Sequence, residues 1–376
     1  MTHPRFLLVQ PSCFDDLVLI SPILAFLVGA LVIGTHAIFG AVLLAFFISS
    51  SAVSKLGGRT KKHVYADFKE GGQRDAFQVI ANAAWALLAI AMWQYRWSFS
   101  LGYFVPVVQV ESAPAPSEAA RDVFVCFVLT QTIIAHFAAC CGDTWASEIG
   151  TAYGGTPRSI LPPFAAVPRG VNGGVSLIGT VASALGGVTA ALPAAVLYLV
   201  LPNAFLGASP VHASAGKDES AAAPMLEIVA SALGLVADGA AGAAGPSVRP
   251  WGAAMACLVV GFVAGVYGSV VDSVLGTFLQ LSIVSDSGLV SESWDSTPKE
   301  GASSKSAAKA EGIKFMSGLD VLSNNQVNAI AALVTVCVTG LFWSFIGGVS
   351  LRDVIYPFGA GSFVAVCVAV LAVIKS

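Results

Sequence analysis

The sequence predicts an all-α protein, a polytopic transmembrane helix bundle of about eight spans that forms a single membrane domain over residues 1–376. The chain is 56% hydrophobic and only 11% charged, whereas soluble domains carry roughly 25% charged residues. Apolar runs of about 20 residues, the length that crosses the hydrocarbon core, recur along the whole chain. The charged residues are grouped in blocks between these runs, as loop residues are.

The apolar runs define the predicted spans, which cover residues 17–34, 37–54, 76–94, 122–141, 174–201, 251–271, 326–348 and 356–374. The first run follows Asp15 and Asp16 rather than a basic segment, so we interpret it as a span and not as a cleavable signal peptide. A further run, 226–245, is nearly all Ala and Gly, and we interpret it as part of an extracytosolic insertion or a partly embedded helix. Loop insertions are predicted at about 203–250 and 285–311.

Charge bias predicts the orientation of the bundle. The segment 55–74 is short and strongly basic, so the positive-inside rule places it in the cytosol or on an equivalent nucleotide-containing side. Alternation of the spans then puts loops 142–172 and 272–325 on that same side, together with both termini. If 226–245 crossed the membrane, loop 272–325 would move to the opposite side. For a eukaryotic source, we expect an endoplasmic reticulum or plastid membrane.

Two function classes fit this composition poorly. The formal net charge of −3 argues against nucleic-acid binding. Most of the seven cysteines lie inside apolar runs, and the adjacent Cys140 and Cys141 lack the spacing of a zinc or redox motif. The cysteines therefore predict small apolar packing rather than a disulfide scaffold or a metal site.

The first polar group has two parts, which lie in and after the basic segment. Two glycines among the cations that include Lys61 and Lys62 make a loop able to wrap a phosphate, although a topology anchor at anionic lipid headgroups explains it equally. Arg74 and Asp75 open the second part, in which Gln78 and Asn82 follow at helical spacing. One helix face then carries polar groups into the membrane, either for a polar cavity or for interhelical hydrogen bonds.

The stretch Gly142-Asp-Thr-Trp-Ala-Ser-Glu-Ile-Gly150 follows the fourth apolar run directly. Asp143 and Glu148 therefore lie near a membrane boundary, where an ionised group is costly unless it is paired, metal-bound or hydrated. The two carboxylates can share a divalent ion through water and substrate oxygens, as is usual for Mg²⁺. Alternatively, Asp143 or Thr144 caps a helix and Glu148 is a surface charge.

A glycine-rich turn, 168–176, ends where the fifth span begins. Free backbone N–H groups and the helix dipole make such a place favourable for an anion. The donors that the turn offers are Arg169, Asn172, Ser176 and the backbone of Gly173 and Gly174. A plain tight turn into the span is the alternative.

Two more groups follow in the last third of the chain. Asp272 lies within an apolar run, and a carboxylate in that setting is a functional candidate by default. The same run contains Gly261 and Gly265 at the four-residue spacing that predicts close helix packing. The seventh span begins with four amides within five residues: Asn324, Asn325, Gln326 and Asn328. Capping needs only one amide, so we expect the others to line a polar cavity.

These five groups together resemble the transmembrane protein 19 family, which includes plant chloroplast phytyl-phosphate kinases. The resemblance rests on motifs that run in order over about 270 residues: Lys61-Lys62, Arg74-Asp-x-x-Gln-Val-x-Ala-Asn82, Gly142 to Gly150, Val171-Asn-Gly-Gly-Val-Ser176, Gly268-Ser-x-x-Asp-Ser-x-Leu-Gly276 and Leu322-Ser-Asn-Asn-Gln-Val-Asn328. The two loop insertions carry none of these motifs. A weaker likeness links Gly-Asp-x-x-Ala-Ser to the CTP-using dolichol-kinase and CDP-diacylglycerol-synthase group.

The resemblance implies a multi-pass enzyme, embedded among membrane lipids, that phosphorylates an isoprenoid monophosphate with a nucleoside triphosphate, CTP being a candidate donor. Phosphoryl transfer depends on positioning, metal ions and cationic groups. We therefore assign Asp143, Glu148 and Asp272 to Mg²⁺, with Arg74 completing the catalytic set. The predicted phosphate and substrate ligands are Lys61, Lys62, Asn82, Arg169, Asn172, Gly173, Gly174, Ser176, Asn324 and Asn325.

Two other functions use the same polar groups differently. In a transporter or lipid flippase they would line a pathway, which requires polar groups through the depth of the bilayer. A structural scaffold would leave the five groups without a role. The sequence favours the enzyme, because its polar groups lie beside the ends of the spans on one side of the membrane.

Overall fold

A computed structural model describes residues 12–66, 76–101, 116–201, 250–291, 313–346 and 349–350, with single positions at 354, 368, 370 and 372. Its helices are α1 Ser12–Thr35, α2 Ala37–Ser54, α3 Gly58–Lys62, α4 Ala76–Ala81, α5 Ala84–Leu101, α6 Pro116–Tyr153, α7 Leu177–Val200, α8 Pro250–Leu279 and α9 Asn324–Ile346. Its short strands are β1 Arg158–Ser159, β2 Gly174–Val175, β3 Ser282–Val284, β4 Val290–Ser291 and β5 Lys314–Ser317. The predicted all-α membrane fold is confirmed.

Five described helices are long and apolar enough to cross a membrane: α2, α6, α7, α8 and α9. The predicted span 17–34 corresponds to α1, whose apolar part Ile20–Thr35 is shorter. The predicted span 76–94 is divided, because the helix breaks at residues 82–83 and continues as α5. The last predicted span, residues 356–374, and the run 226–245 lie outside the described residues, apart from single positions.

Helix α6 is the centre of the bundle. In its most apolar window 94% of the residues are buried, against 39–50% in the other four candidate spans. Helices α2, α5, α7, α8 and α9 all pack against it. A side chain on α6 therefore faces protein on nearly every side, and polar groups there lie inside the bundle rather than against lipid.

Glycines bring α6, α7 and α8 unusually close together. A methyl group at Gly142 of α6 would lie 2.6 Å from the Gly265 Cα, and one at Gly265 of α8 would lie 2.5 Å from the Ser183 carbonyl oxygen of α7. Gly261 is pressed in the same way against Gly187 of α7. The predicted close-packing role of the Gly261–Gly265 pair is confirmed, because only glycine allows backbones to approach this closely.

Helices α7 and α8 are antiparallel. Ser183 of α7 contacts Gly265 of α8, and Ala191, farther along α7, contacts Gly261, which is earlier on α8. Val200 and Pro250, which flank the stretch 202–249, are therefore at the same end of the bundle. This arrangement places loop 272–325 at the end where α7 begins, as the prediction without a crossing at 226–245 requires.

The loops at that end form a small cap, defined here as residues 63–66, 154–176, 280–291 and 313–323. Strand β3 pairs antiparallel with both β4 and β5, and the Val290 amide donates to the Val64 carbonyl at 2.7 Å. The Asn172 amide donates to Ser282 Oγ at 3.1 Å. Val171, Val284 and Val290 form the apolar centre of this loop cap. The three loops predicted to share one side of the membrane are thus in contact.

Candidate functional site

A polar cavity lies between α4, α6, α8 and α9, near the end that carries the loop cap. It is small and partly open, with a volume of about 30 Å³. The residues that line it are Gln78, Asn82, Ala139, Cys140, Asp143, Thr144, Gly268, Asp272, Asn328, Ala331 and Ala332. Residues from four of the five sequence groups therefore meet at one place, although they are up to 250 positions apart in the chain.

Asp143 reaches the cavity from within α6. The helix runs without a break to Tyr153, past the predicted span end at residue 141. The alternative in which Asp143 or Thr144 caps a helix is wrong for the same reason. The Ser269 side chain on α8 hydrogen-bonds to the Asp143 carboxylate, which orients it across the glycine contact between the two helices.

Asp272 enters the cavity from α8 and meets Asn328 of α9. The Asn328 amide is oriented with its nitrogen toward Asp272. The reverse orientation would place its oxygen against two other acceptors, Asp272 Oδ1 and the Asn324 carbonyl. With the nitrogen toward Asp272, the amide donates to Asp272 Oδ1 at 2.7 Å. Carboxylate and amide oxygens are ligands that Mg²⁺ prefers, and Asp143, Asp272 and Asn328 supply both kinds of group to the cavity wall.

The break between α4 and α5 supplies the third wall. Gln78 and Asn82 both face the cavity, as their spacing predicts. Because the helix ends here, the Asn82 carbonyl lacks its usual helical partner, and His136 Nε2 on α6 lies 2.9 Å from it. The Trp85 indole N–H, near the start of α5, donates to the Ala329 carbonyl of α9 at 2.7 Å. Irregular backbone inside a membrane protein is tolerated where protein groups satisfy it.

The glycine-rich turn and the α9 start form a second layer, one to two helical turns outward from Asp272. Gln280 Nε2 donates to Asn324 Oδ1 at 3.4 Å. A methyl group at Gly276 would lie 3.4 Å from the Asn172 Cβ, and Gly173 packs on Thr277. The predicted ligands Asn172, Gly173 and Asn324 therefore lie next to the cavity-lining face of α8 rather than in the cavity wall itself.

Lys61 and Glu148 form an ion pair outside the cavity. Lys61 is 4% exposed, and its ammonium also donates to the Ser54 carbonyl at 2.8 Å. Glu148 is five residues beyond Asp143, about 140° around the helix axis, which explains why the two carboxylates face different partners. Among the described residues, no three His, Cys, Asp or Glu side chains form a metal cluster.

The remaining predicted ligands occupy the loop cap and its surroundings. Ser176 caps α7, where its side chain accepts from the Gly179 amide at 3.1 Å. Arg169 Nε donates to the Gly155 carbonyl at 2.8 Å, and Gly174 is part of β2. Lys62 is exposed, Asn325 is half-buried, and Arg74 lies outside the described residues.

Sequence reasoning missed His136 as part of the site. His136, Cys140 and Asp143 recur at i, i+4 and i+7 on α6, and that spacing places them on one helix face. The same pattern was used to group Gln78 with Asn82, so the signal was present in the sequence. Gln326 was assigned no separate task, and the structure shows that it forms a capping box with Ser323, with the Ser323 amide donating to Gln326 Oε1 at 2.9 Å.

Comparison with known proteins places this chain in a family. It is 30% identical to Protein PGR of Arabidopsis thaliana over 305 residues, which cover 81% of each chain. It is also 30% identical to the uncharacterized membrane protein sll0875 of Synechocystis sp. over 156 residues, 40% of this chain and 48% of that protein. No solved structure matches. The family profile of the integral membrane protein DUF92 matches residues 19–336, a range that contains every described residue of the cavity wall, and the chain belongs to the DUF92 integral membrane family.

Proposed function

We propose that this protein is a membrane-embedded phosphotransferase that moves the terminal phosphoryl group of a nucleoside triphosphate, with CTP as a candidate donor, to a prenyl or phytyl monophosphate. The observation that supports it most is the meeting of Asp143 and Asp272 with the amides of Gln78, Asn82 and Asn328 around one cavity. Carboxylates and amides in this arrangement suit a phosphate-bound divalent cation, and the cavity lies near the end of the bundle that carries the loop cap.

The roles of the residues follow from their positions. Asp143 and Asp272 would hold Mg²⁺, which when bound neutralises charge on the phosphate oxygens. Ser269 and Asn328 orient the two carboxylates. Gln78 and Asn82 donate from their amides to phosphate oxygens. A terminal oxygen of the lipid monophosphate attacks the γ-phosphorus, the bond from that phosphorus to the bridging oxygen breaks, and the products are the prenyl diphosphate and a nucleoside diphosphate. The attacking oxygen is already ionised, so no strong general base is needed.

Lys61 and Lys62 have different roles in the proposed reaction. Lys62 is exposed and can approach a phosphate from the basic loop. Lys61 and Glu148 neutralise each other, so their part is to fix the loop on α6 unless the ion pair opens. The metal role assigned to three carboxylates therefore rests on Asp143 and Asp272.

The test is phosphate transfer by purified, reconstituted protein from labelled nucleoside triphosphate to phytyl or geranylgeranyl monophosphate. Asp143→Asn and Asp272→Asn should each lower the rate by roughly 100-fold or more, as loss of a charge-stabilising group in a preorganised site does. Asp286→Asn, at an exposed turn of the loop cap, is the matched control and should retain full activity. Full activity in both cavity variants would refute the assignment.

One observation favours a lipid transporter as the second candidate. The α4–α5 break at residues 82–83 is typical of transporters, in which discontinuous helices line the substrate site. A fluorescent prenyl-phosphate scrambling assay in proteoliposomes separates the two. Transport without phosphate transfer, abolished by Asp272→Asn, would favour the transporter over the kinase.

A further inference from the structure

An exposed apolar turn lies between strands β1 and β2 of the loop cap. Residues 161–166 read Leu-Pro-Pro-Phe-Ala-Ala, and positions 162–166 are all exposed. Phe164 is 53% exposed. A run of six apolar residues without a charge is unusual for a turn that faces water, where polar residues normally predominate.

The turn is held in a defined conformation. Phe164 has a φ of 56°, in the left-handed region that bulky residues rarely adopt. The Phe164 amide donates to the Leu161 carbonyl at 2.9 Å, and the Ser159 amide donates to the Ala165 carbonyl at 2.8 Å. Arg158 Nη1 donates to the Phe164 carbonyl at 3.2 Å. The fold therefore presents Phe164 outward at a fixed position, and strained positions of this kind are concentrated at functional surfaces.

The turn is connected to the start of α7 through the β1–β2 pair. Strand β1 pairs with β2, with Arg158 opposite Val175, and β2 leads into α7 after one residue. Leu177, the first residue of α7, is 81% exposed, and Ile178 and Val181 are exposed beside it. Since α7 is a candidate span with an apolar outer surface, lipid contact begins at its first residue. The apolar turn adjoins that boundary.

A second turn in the same loop cap shows the opposite chemistry. Residues 285–289 connect β3 to β4, and Asp286, Ser287 and Gly288 are exposed. Leu289 in this turn is half-buried, so the exposed part carries no apolar side chain, as expected for contact with water. The two turns belong to one small folded unit, so the difference between them reflects what each turn contacts.

We propose that the Leu161–Ala166 turn inserts into the interfacial layer of the bilayer, with Phe164 as its apolar anchor and Arg158 at the level of the lipid phosphates. Phenylalanine is among the apolar residues that interfacial segments bury at the boundary between headgroups and acyl chains. An exposed arginine at the base of the turn suits the anionic headgroups there. The insertion fixes the loop cap at the membrane surface, and it does not depend on the proposed phosphotransferase activity.

The test uses an environment-sensitive fluorescent amino acid at position 164, introduced by codon suppression in the full-length protein so that the native tryptophans do not interfere. The protein is reconstituted in vesicles of phosphatidylcholine and phosphatidylglycerol that contain lipids with nitroxides in the headgroup or high on the acyl chain. The same probe at position 287 is the matched control. We expect quenching at 164 to exceed quenching at 287 by about threefold or more, together with blue-shifted emission.

A second pair of measurements separates insertion from misfolding. With the probe at position 165, Phe164→Asn should lower the quenching toward the level at 287, because asparagine tolerates the left-handed backbone but removes the anchor. Equal quenching at 164 and 287 would overturn the proposal, as would a Phe164→Asn variant that stays fully quenched. A probe at 164 that is shielded from iodide in water but not quenched by the lipid nitroxides would show that protein covers the turn, which also overturns it.

Discussion

Lys61 of α3 forms an ion pair with Glu148 of α6, and this pair attaches the basic loop to the central helix. The Lys61 side chain is 6% exposed and that of Glu148 is 23% exposed. Removal of one partner leaves the other charge buried without compensation, so Lys61→Met and Glu148→Gln should each destabilise the fold by about 2 kcal/mol, less than for a fully buried pair because Glu148 is partly screened by solvent.

Thermal unfolding in detergent measures this effect, with Lys62→Met as the control because Lys62 is the exposed neighbour. Lys62→Met should leave the Tm unchanged. The double variant Lys61→Met with Glu148→Gln should lose less than the sum of the two single losses, because no unpaired charge remains. Additive losses in the double variant would contradict a direct pair, since coupled residues do not add.

The glycine contact between α7 and α8 predicts a second stability effect. A methyl group at Gly265 would lie 2.5 Å from the Ser183 carbonyl, so Gly265→Ala should separate the helices and cost about 1–3 kcal/mol. Gly29→Ala is the control, because a methyl group at Gly29 of α1 meets nothing within 4 Å. That change should be neutral or slightly stabilising, as alanine favours a helix. Equal Tm values for the two variants would argue against the tight contact.

The N-cap of α7 gives a third prediction. Ser176 accepts from the Gly179 amide at 3.1 Å, so Ser176→Ala should cost about 1 kcal/mol and Ser176→Asp should not. The same pair tests the predicted phosphate role, because an added carboxylate repels a phosphate ligand. If Ser176→Asp keeps both the Tm and phosphate transfer, Ser176 acts as a cap alone. A loss of transfer at unchanged Tm would instead favour contact with the substrate.

The sequence predicted the members of the site better than the boundaries of the elements. Gln78, Asn82, Asp143 and Asp272 each stood out because a polar group inside an apolar run is costly, and all four line the cavity. Helix α6 continues 12 residues beyond the predicted span end at Cys141, to Tyr153. Polar residues after an apolar run indicate that the chain is leaving an apolar environment. They do not end the helix when groups on neighbouring helices form hydrogen bonds or ion pairs with their side chains.

Sequence patterns could not predict which residues contact each other in the fold. Asp143 and Glu148 are five residues apart and were predicted to share one ion. They lie about 140° apart around the axis of α6, and Glu148 forms an ion pair with Lys61 instead. Likewise, the break at Asn82 is not marked by proline or glycine. It depends on His136 of α6, and that contact joins residues 54 positions apart.

His136 supports a fourth prediction. Its ring is fully buried, and Nε2 lies 2.9 Å from the Asn82 carbonyl. His136→Leu should leave that carbonyl buried without a donor and cost about 1–3 kcal/mol, the usual penalty for an unsatisfied buried group. His136→Gln retains a donor and should recover part of the Tm. Because the Asn82 side chain lines the cavity, the Leu variant should also weaken ligand-induced stabilisation more than its loss of Tm alone predicts.

The contact between Asn328 and Asp272 makes the cation hypothesis testable without an activity assay. Asn328→Asp keeps the side-chain size, removes the donor that lies 2.7 Å from Asp272 Oδ1 and places a further carboxylate at the cavity wall. Without divalent cations, repulsion between the carboxylates should lower the Tm. With saturating Mg²⁺, the variant should gain more stability than the parent protein, and each tenfold increase in affinity adds about 1.4 kcal/mol. Asn325→Asp, three residues earlier on α9 and absent from the cavity wall, is the control. An Mg²⁺-induced shift in Tm that is equal in the two variants would count against a cation between Asp143 and Asp272.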